Sequence, residues 1–217
     1  MGYKHIIWDW NGTLLDDRQF CIEIMNGVLR RRNMREMTEA WFLENFCFPV
    51  KDYYIKLGFD FKKEPFDISG SEFIRDYMAR HHEPNLQMET QRALQYFKDC
   101  GLTQSLLSAA SQIMLDDILQ YHDICGYFIK IIGQENHYAY GKEMAGKAWV
   151  DELHYGLHEV LFIGDTIHDH EVAKHIGTDC VLVSNGHMSQ ARLKQTGSPV
   201  FDSLNGVVSW CVGQVKT

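Results

Sequence analysis

The chain has 217 residues, 45% of them hydrophobic, and a formal net charge of -8. That length supports one full domain with a smaller insertion. The acidic balance excludes the basic face that nucleic acid selects. No apolar run approaches the roughly 18 residues a membrane span needs, and no basic segment followed by an apolar one marks a leader at the N-terminus. The six cysteines form no C-x-x-C pair and have no zinc-ligand spacing; in a chain of this size they read as reduced thiols. The expectation is a cytoplasmic chain, a monomer or homodimer, with neither nucleic acid nor membrane as partner.

Taken in order, residues 4–10 read as an apolar strand that ends on Asp9 and a turn carrying Gly12. Helical periodicity then runs over 16–85. Phe20, Ile22, Ile24, Met25, Val28 and Leu29 make one apolar face, and Arg30, Arg31, Arg32 and Arg35 close that helix near its negative dipole end. Thr38 is placed to cap a second helix carrying Trp41, Phe42 and Phe46. Tyr53, Tyr54 and Leu57 predict a third helix, ended by Gly58, and Ser69 or Ser71 is expected to cap a fourth. Its inward face would hold Phe73, Ile74, Tyr77 and Met78, with Pro84 closing the segment.

From residue 88 the rhythm alternates. A helix through Leu94 and Phe97 stops at Gly101, followed by a strand at 104–108, a helix through Met114, Ile118 and Leu119, and a strand at 129–132. A helix at 142–154, a strand at 159–163, a helix at 169–176 and a strand at 179–183 complete the series. Such alternation predicts an α/β fold with a Rossmann-like, mainly parallel sheet. The expected division is a core of 1–15 and 86–217, with 16–85 as an all-helical cap. An insertion directly after the first strand lies over the strand ends, where α/β proteins place a reacting group. The linkers near Leu15–Asp17 and Glu83–Asn85 would be hinges.

Two strand ends carry carboxylates, Asp9 and then Asp165, with Asp169 four residues further on. A carboxylate such as Asp9 is able to attack a phosphoryl group. Asp165 and Asp169 suit Mg²⁺, which takes one or two carboxylates with substrate oxygens and water; Asp169 is equally a favourable first-turn helix acid. Lys142 follows Gly141 at a helix start and is placed to neutralise a nucleophile–phosphate pair, whereas Lys147 reads as a solvated helix residue. Ser108, at the end of its strand, has a hydroxyl for a phosphate oxygen, and Ser111 reads as a helix cap. The histidines, among them His81, His82, His168 and His170, show no ligand spacing, and the cap aromatics read as core.

Together these residues resemble the haloacid dehalogenase superfamily, in its phosphoglycolate phosphatase-like branch with a helical cap. The first motif is Asp9 to Leu14, the second Ser108, the third Lys142 and the fourth Gly164 to Asp169. The resemblance implies a Mg²⁺-dependent phosphatase acting on a small phosphorylated metabolite. It makes Asp9 the nucleophile and a Mg²⁺ ligand and adds the backbone carbonyl of Asn11 and the carboxylate of Asp165 to the metal set, beside which the spacing puts Asp169, on the ion or on a water it holds; phosphate contacts are expected from Gly12, Thr13, Ser108, Ala109 and Lys142. One residue departs from the pattern. Asn11 stands where the family usually carries a second aspartate that protonates the leaving oxygen, and a carboxamide exchanges no proton at neutral pH. Asp16, Asp17 or His168 would be rescues. A phospho-ligand binding protein or slow phosphotransferase is the alternative reading. Phosphonate hydrolysis, which needs a cap lysine such as Lys51, Lys56, Lys62 or Lys63, is a lesser one. In either phosphatase or binding form, Asn11→Asp is the variant expected to discriminate.

Overall fold

The computed structural model describes residues 2–134 and 141–213, so parts of the expected core, 135–140 and 214–217, lie outside the described residues. The first strand, β1 (His5–Trp8), is buried at every position. Burial on both faces is what a central parallel strand requires, and it explains the unbroken run His5-Ile6-Ile7-Trp8. A short β2 (Leu15–Asp16) leads into four helices, α1 (Arg18–Arg31), α2 (Glu39–Asn45), α3 (Val50–Leu57) and α4 (Phe66–Met78). A second short strand, β3 (Asn85–Leu86), returns the chain. Then come α5 (Thr90–Asp99), β4 (Thr103–Ser111), α6 (Gln112–Tyr121), β5 (Lys130–Gln134), α7 (Lys142–Glu152), β6 (Val160–Gly164), α8 (Ile167–Ile176) and β7 (Asp179–Val183). The chain closes with α9 (Gln190–Leu193), β8 (Val200–Phe201) and α10 (Leu204–Gly213), none of which the periodicity announced.

The main sheet has the order β5-β4-β1-β6-β7-β8, and every pairing in it is parallel. Ile6, Trp8, Leu106, Leu161 and Phe97 fill the core on one face; Ile7, Leu107, Phe162, Val172 and Ile176 fill it on the other. Helices α1 to α4 close a separate core around Met25, Leu29, Phe42, Tyr53 and Tyr54. The expected hinges are one antiparallel ribbon, with Leu15 opposite Leu86 and Asp16 opposite Asn85. Both expected boundaries of the insertion thus fall inside that ribbon. No helix among the described residues is long and apolar enough to cross a membrane, and each of the six cysteines is a free thiol.

Local chemistry corrects several boundaries. The first strand stops at Trp8, because the backbone turns at Trp10, whose carbonyl accepts from Thr13, Leu14 and Leu15. Thr38 caps α2, accepting from Trp41 N, and Ser111 caps α6. Ser69 and Ser71 cap nothing: α4 begins at Phe66 after Pro65, whose fixed φ prepares a helix start, and Ser69 Oγ bonds back to Phe66 O. Arg35 lies beyond α1, which ends at Arg31.

His5 carries a pH signature. Its ring is fully buried between Thr103 Oγ1 (2.7 Å) and Ser105 Oγ (2.8 Å), and burial lowers its pKa to about 4. The unfolded chain takes up this proton from pH 6.5 downward and the folded chain only near 4, so stability falls as pH drops across that window. The loss is about 3 kcal/mol at most. Because Asp9 and other buried groups titrate over the same range, the readout is a difference: between pH 7 and pH 4.5 the urea midpoint of the parent should lose ground relative to that of His5→Asn.

Candidate active site

Pairing of β1 with β4 and β6 sets three chain ends side by side, with Trp8 level with Leu106 and Ile163. Asp9 follows β1, and its N–H donates to Ile163 O at 2.9 Å. Asp165 follows β6, and Thr13 links the two acids. Its hydroxyl lies 3.3 Å from Asp9 Oδ2 and 3.0 Å from Asp165 Oδ1, and the residue is fully buried. Thr13 therefore sits behind the carboxylates as a brace instead of in the cavity wall. Gly12 adopts φ +77°, and a Cβ there would lie 2.3 Å from Asp165 Oδ2, so the turn admits glycine alone.

Lys142, at the start of α7, is 2% exposed. Its Nζ donates to Asp9 Oδ1 at 2.5 Å and to Asp169 Oδ1 at 2.6 Å. The other oxygen of Asp169 accepts from the N–H of Asp165 and Thr166 and from Thr166 Oγ1, while Thr166 caps α8 in return. Asp169 is therefore both a helix-capping acid and the second anchor of Lys142. Lys147 instead pairs with Asp151 at the surface.

Ser108 lies inside β4, not at its end. The strand continues to Ser111, but its register with β5 shifts between Leu107 and Ser111, so residues 108–110 bulge out of the ladder. The bulge presents Ser108 and Ala109 to the same cavity as Asp9 and Lys142. Ser108 Oγ accepts from Ala110 N at 3.0 Å.

Three carboxylates, Asp9, Asp165 and Asp169, offer oxygen atoms within 4.8 Å of one another, and all are buried. Burial, with the neighbouring charges of Asp169 and Asp165, pushes the Asp9 pKa up to about 8 against the opposing pull of Lys142. The cluster is thus short of positive charge. All-oxygen donors with excess negative charge suit a hard divalent cation, so the residues fit Mg²⁺.

Periodicity and spacing miss His187, while Asp17 enters from the sequence only as a rescue and Tyr77 only as an inward-facing helix residue. His187 has its Nδ1 3.2 Å from Asp165 Oδ2 and its Nε2 3.1 Å from Asp17 Oδ1, and its backbone N–H donates to Asp165 Oδ2 at 2.6 Å. Burial works against the imidazolium, but the charges of Asp17 and Asp165 outweigh it and hold the pKa well above the ordinary value. Asp17 is fully buried; against that burial, His187 and its other hydrogen bonds keep its carboxyl below the usual range. Its Oδ1 accepts from Gly12 N (2.9 Å), and its Oδ2 accepts from Asn11 Nδ2 (2.7 Å) and Tyr77 OH (2.9 Å). Asn11 Nδ2 also donates to Tyr77 OH at 3.0 Å. Tyr77 belongs to α4, so the insertion reaches into the turn after β1. Rings of Phe42 and Phe46 pack against His187, and Phe48 stacks on His168 at 4.6 Å. Asp16, by contrast, is exposed in the ribbon.

The assembled set, a strand-end Asp9 bonded to a helix-start lysine with Asp165 on the neighbouring strand end, covers the same stretch that a family model recognises. A model for haloacid dehalogenase-like hydrolases matches residues 6–183. The chain belongs to this family. His187 falls just outside the matched span. No curated protein matches the chain by sequence. Among solved structures, a haloacid dehalogenase-like family hydrolase from Streptococcus pneumoniae superposes with a TM-score of 0.81 at 15% identity, over 96% of this chain and 98% of that one. A protein from Clostridium acetobutylicum described as a predicted phosphatase gives 0.79 at 18% identity, over 97% and 99%. One from Haemophilus somnus described as a predicted phosphoglycolate phosphatase gives 0.77 at 15%, over 97% and 99%. At these identities the likeness establishes the parallel-sheet fold of the family and not the reaction of any one member.

Proposed function

We propose that the protein is a Mg²⁺-dependent phosphatase that hydrolyses a phosphorylated metabolite through an aspartyl-phosphate on Asp9. The observation that carries this reading is the Asp9–Lys142–Asp169 chain, in which one buried ammonium holds two carboxylates at 2.5 and 2.6 Å at the floor of a cavity. Asp9 attacks phosphorus, the P–O bond to the alcohol breaks, and water later releases phosphate from the acyl phosphate, restoring the carboxylate. Lys142 balances the charge that gathers on the phosphoryl oxygens while Asp169 keeps it in place. Ser108 and Ala109, which line the cavity from the β4 bulge, would contact those oxygens. Asp9, the Asn11 carbonyl and Asp165 would hold the metal, with Asp169 beside them. Bound there, it supplies positive charge that keeps Asp9 ionised and polarises the phosphoryl group.

Asn11 favours a second reading, a phospho-ligand binding protein or slow phosphotransferase, because its amide donates to Asp17 and Tyr77 and has no proton to exchange. The phosphonate reading has less support: of the four candidate cap lysines Lys51 alone lines the cavity, with its ammonium 5.5 Å from the Phe61 ring centre. Phosphate release from a panel of phosphomonoesters and acyl phosphates, with Mg²⁺ and with EDTA, separates the first two. The phosphatase reading expects Mg²⁺-dependent release that EDTA returns to background. Release that survives EDTA would overturn the metal assignment, and binding of phosphate without release from any compound would favour the second reading.

A further inference from the structure

The cavity above Asp9 has a volume of about 1130 Å³, just above the range usual for small-molecule sites, about 300 to 1,000 Å³. Its floor is polar, with Asp9, Ser108, Lys142 and Asp169. Its upper wall comes from the inserted helices and is aromatic: Phe46, Phe48, Tyr53, Phe66, Phe73 and Tyr77 all line it. The hydroxyls among these are spoken for, since Tyr53 OH donates to Met37 Sδ and Tyr77 OH to Asp17. The charged and serine side chains that α3 and α4 bring to the cavity, Lys51, Asp67, Ser71 and Arg75, are all exposed. Arg75 is held by Asp76 at 2.9 Å, and Lys51 lies over the Phe61 ring.

A sugar phosphate would lay most of its hydroxyls against aromatic rings, and each hydroxyl left unpaired there costs roughly tenfold in affinity. A two-carbon acid phosphate would leave most of the volume to water that finds few polar neighbours there. We propose that the preferred substrate is the phosphate ester of a long hydrocarbon alcohol, with its phosphoryl group on Asp9 and its hydrocarbon body between the aromatic rings of α2 to α4. This rests on the phosphatase reading for the head group and names the class of the leaving group. One side chain reports on the arrangement. Ile74 of α4 lines the cavity, is half-buried, and belongs to neither apolar cluster of the insertion, so its replacement alters the wall without removing a core contact.

The test is calorimetric titration, in the presence of Mg²⁺, of methyl-, butyl-, hexyl- and octylphosphonate. These keep the anionic head and lack a leaving group, so binding is read apart from turnover. Affinity should rise roughly threefold to fourfold per methylene, about a hundredfold from butyl to octyl. Inorganic phosphate should compete, and Ile74→Asn should flatten the rise while leaving methylphosphonate affinity unchanged. Equal affinity for methyl- and octylphosphonate would overturn the hydrocarbon assignment while leaving the phosphatase reading intact. Tight octylphosphonate binding that phosphate does not displace, or a slope untouched by Ile74→Asn, would overturn the proposed placement. No binding at any chain length would overturn the assignment and count against the phosphatase site as well.

Discussion

Asp9→Asn should abolish phosphate release, with kcat lower by a factor on the order of 10⁴ or more, and leave the fold at least as stable as before. Loss of a nucleophile removes the route itself rather than one contact along it, which is why the expected factor is so large. The stability half of the prediction comes from the electrostatics of the cluster. Asp9 is 7% exposed, and burial with the charges of Asp169 and Asp165 disfavours its carboxylate, so a neutral side chain of the same shape removes the cost of burying that carboxylate or of protonating it. Lys142 keeps Asp169 at 2.6 Å, so its ammonium is not left without a partner. Thermal melting and phosphate release on the same preparation check both halves, and acid-quenched protein incubated with labelled substrate should carry phosphoryl in the parent chain alone. More than a few per cent of residual turnover in the variant would eliminate the aspartyl-phosphate route.

The floor of the candidate site was legible in the sequence because each of its parts lies next to a local signal. An apolar run that ends on a carboxylate and a glycine marks Asp9. A second such run marks Asp165, with Asp169 in the first turn of the helix behind it. Lys142 stands at a helix start. The sheet was legible for the same reason: β1, β4, β6 and β7 are short runs of buried aliphatics bounded by polar turns. What could not be read depends on contacts between distant segments. The bulge that turns Ser108 and Ala109 toward the site exists only through the shifted register of β4 against β5. His187 is 22 residues from Asp165 and lies on a loop with no periodicity. The one signal it had was Gly186 before it, since a Cβ there would lie 2.1 Å from Asp165 Oδ2, a constraint visible once the fold is known. The cap aromatics, read as core, do form a core, yet several of them also face the cavity. Amphipathic periodicity separates inside from outside and does not distinguish a packed interior from a lined one.

Restoring an acid at position 11 should require two changes, not one. Asn11 Nδ2 stands 2.7 Å from Asp17 Oδ2, and Asp17 is fully buried. Asn11→Asp alone would set two carboxylates at hydrogen-bond distance in a desolvated turn, where both cannot be ionised. One would hold the shared proton as a structural hydrogen bond, unavailable to a leaving group, so the single variant should lose stability and gain little rate. The pair Asn11→Asp with Asp17→Asn exchanges donor for acceptor and keeps the hydrogen bonds among residues 11, 12, 17 and 77, while His187 loses the charge of Asp17 and keeps Asp165 as its charged partner. The carboxamide then at position 17 would donate through its nitrogen to the new carboxylate, its oxygen would still accept from Gly12 N, and Tyr77 OH would turn to donate to position 11. With the acid in place, kcat/KM on esters with poor leaving groups should rise by about 10²–10⁴, the usual contribution of general acid–base help. Acyl phosphates, whose leaving groups need no proton, should gain far less, and that contrast is the readout. Equal gains on both substrates would point to a change in binding instead of proton transfer. No gain on alkyl phosphates in the stable double variant would mean that the native turn already has a proton route that does not pass through residue 11.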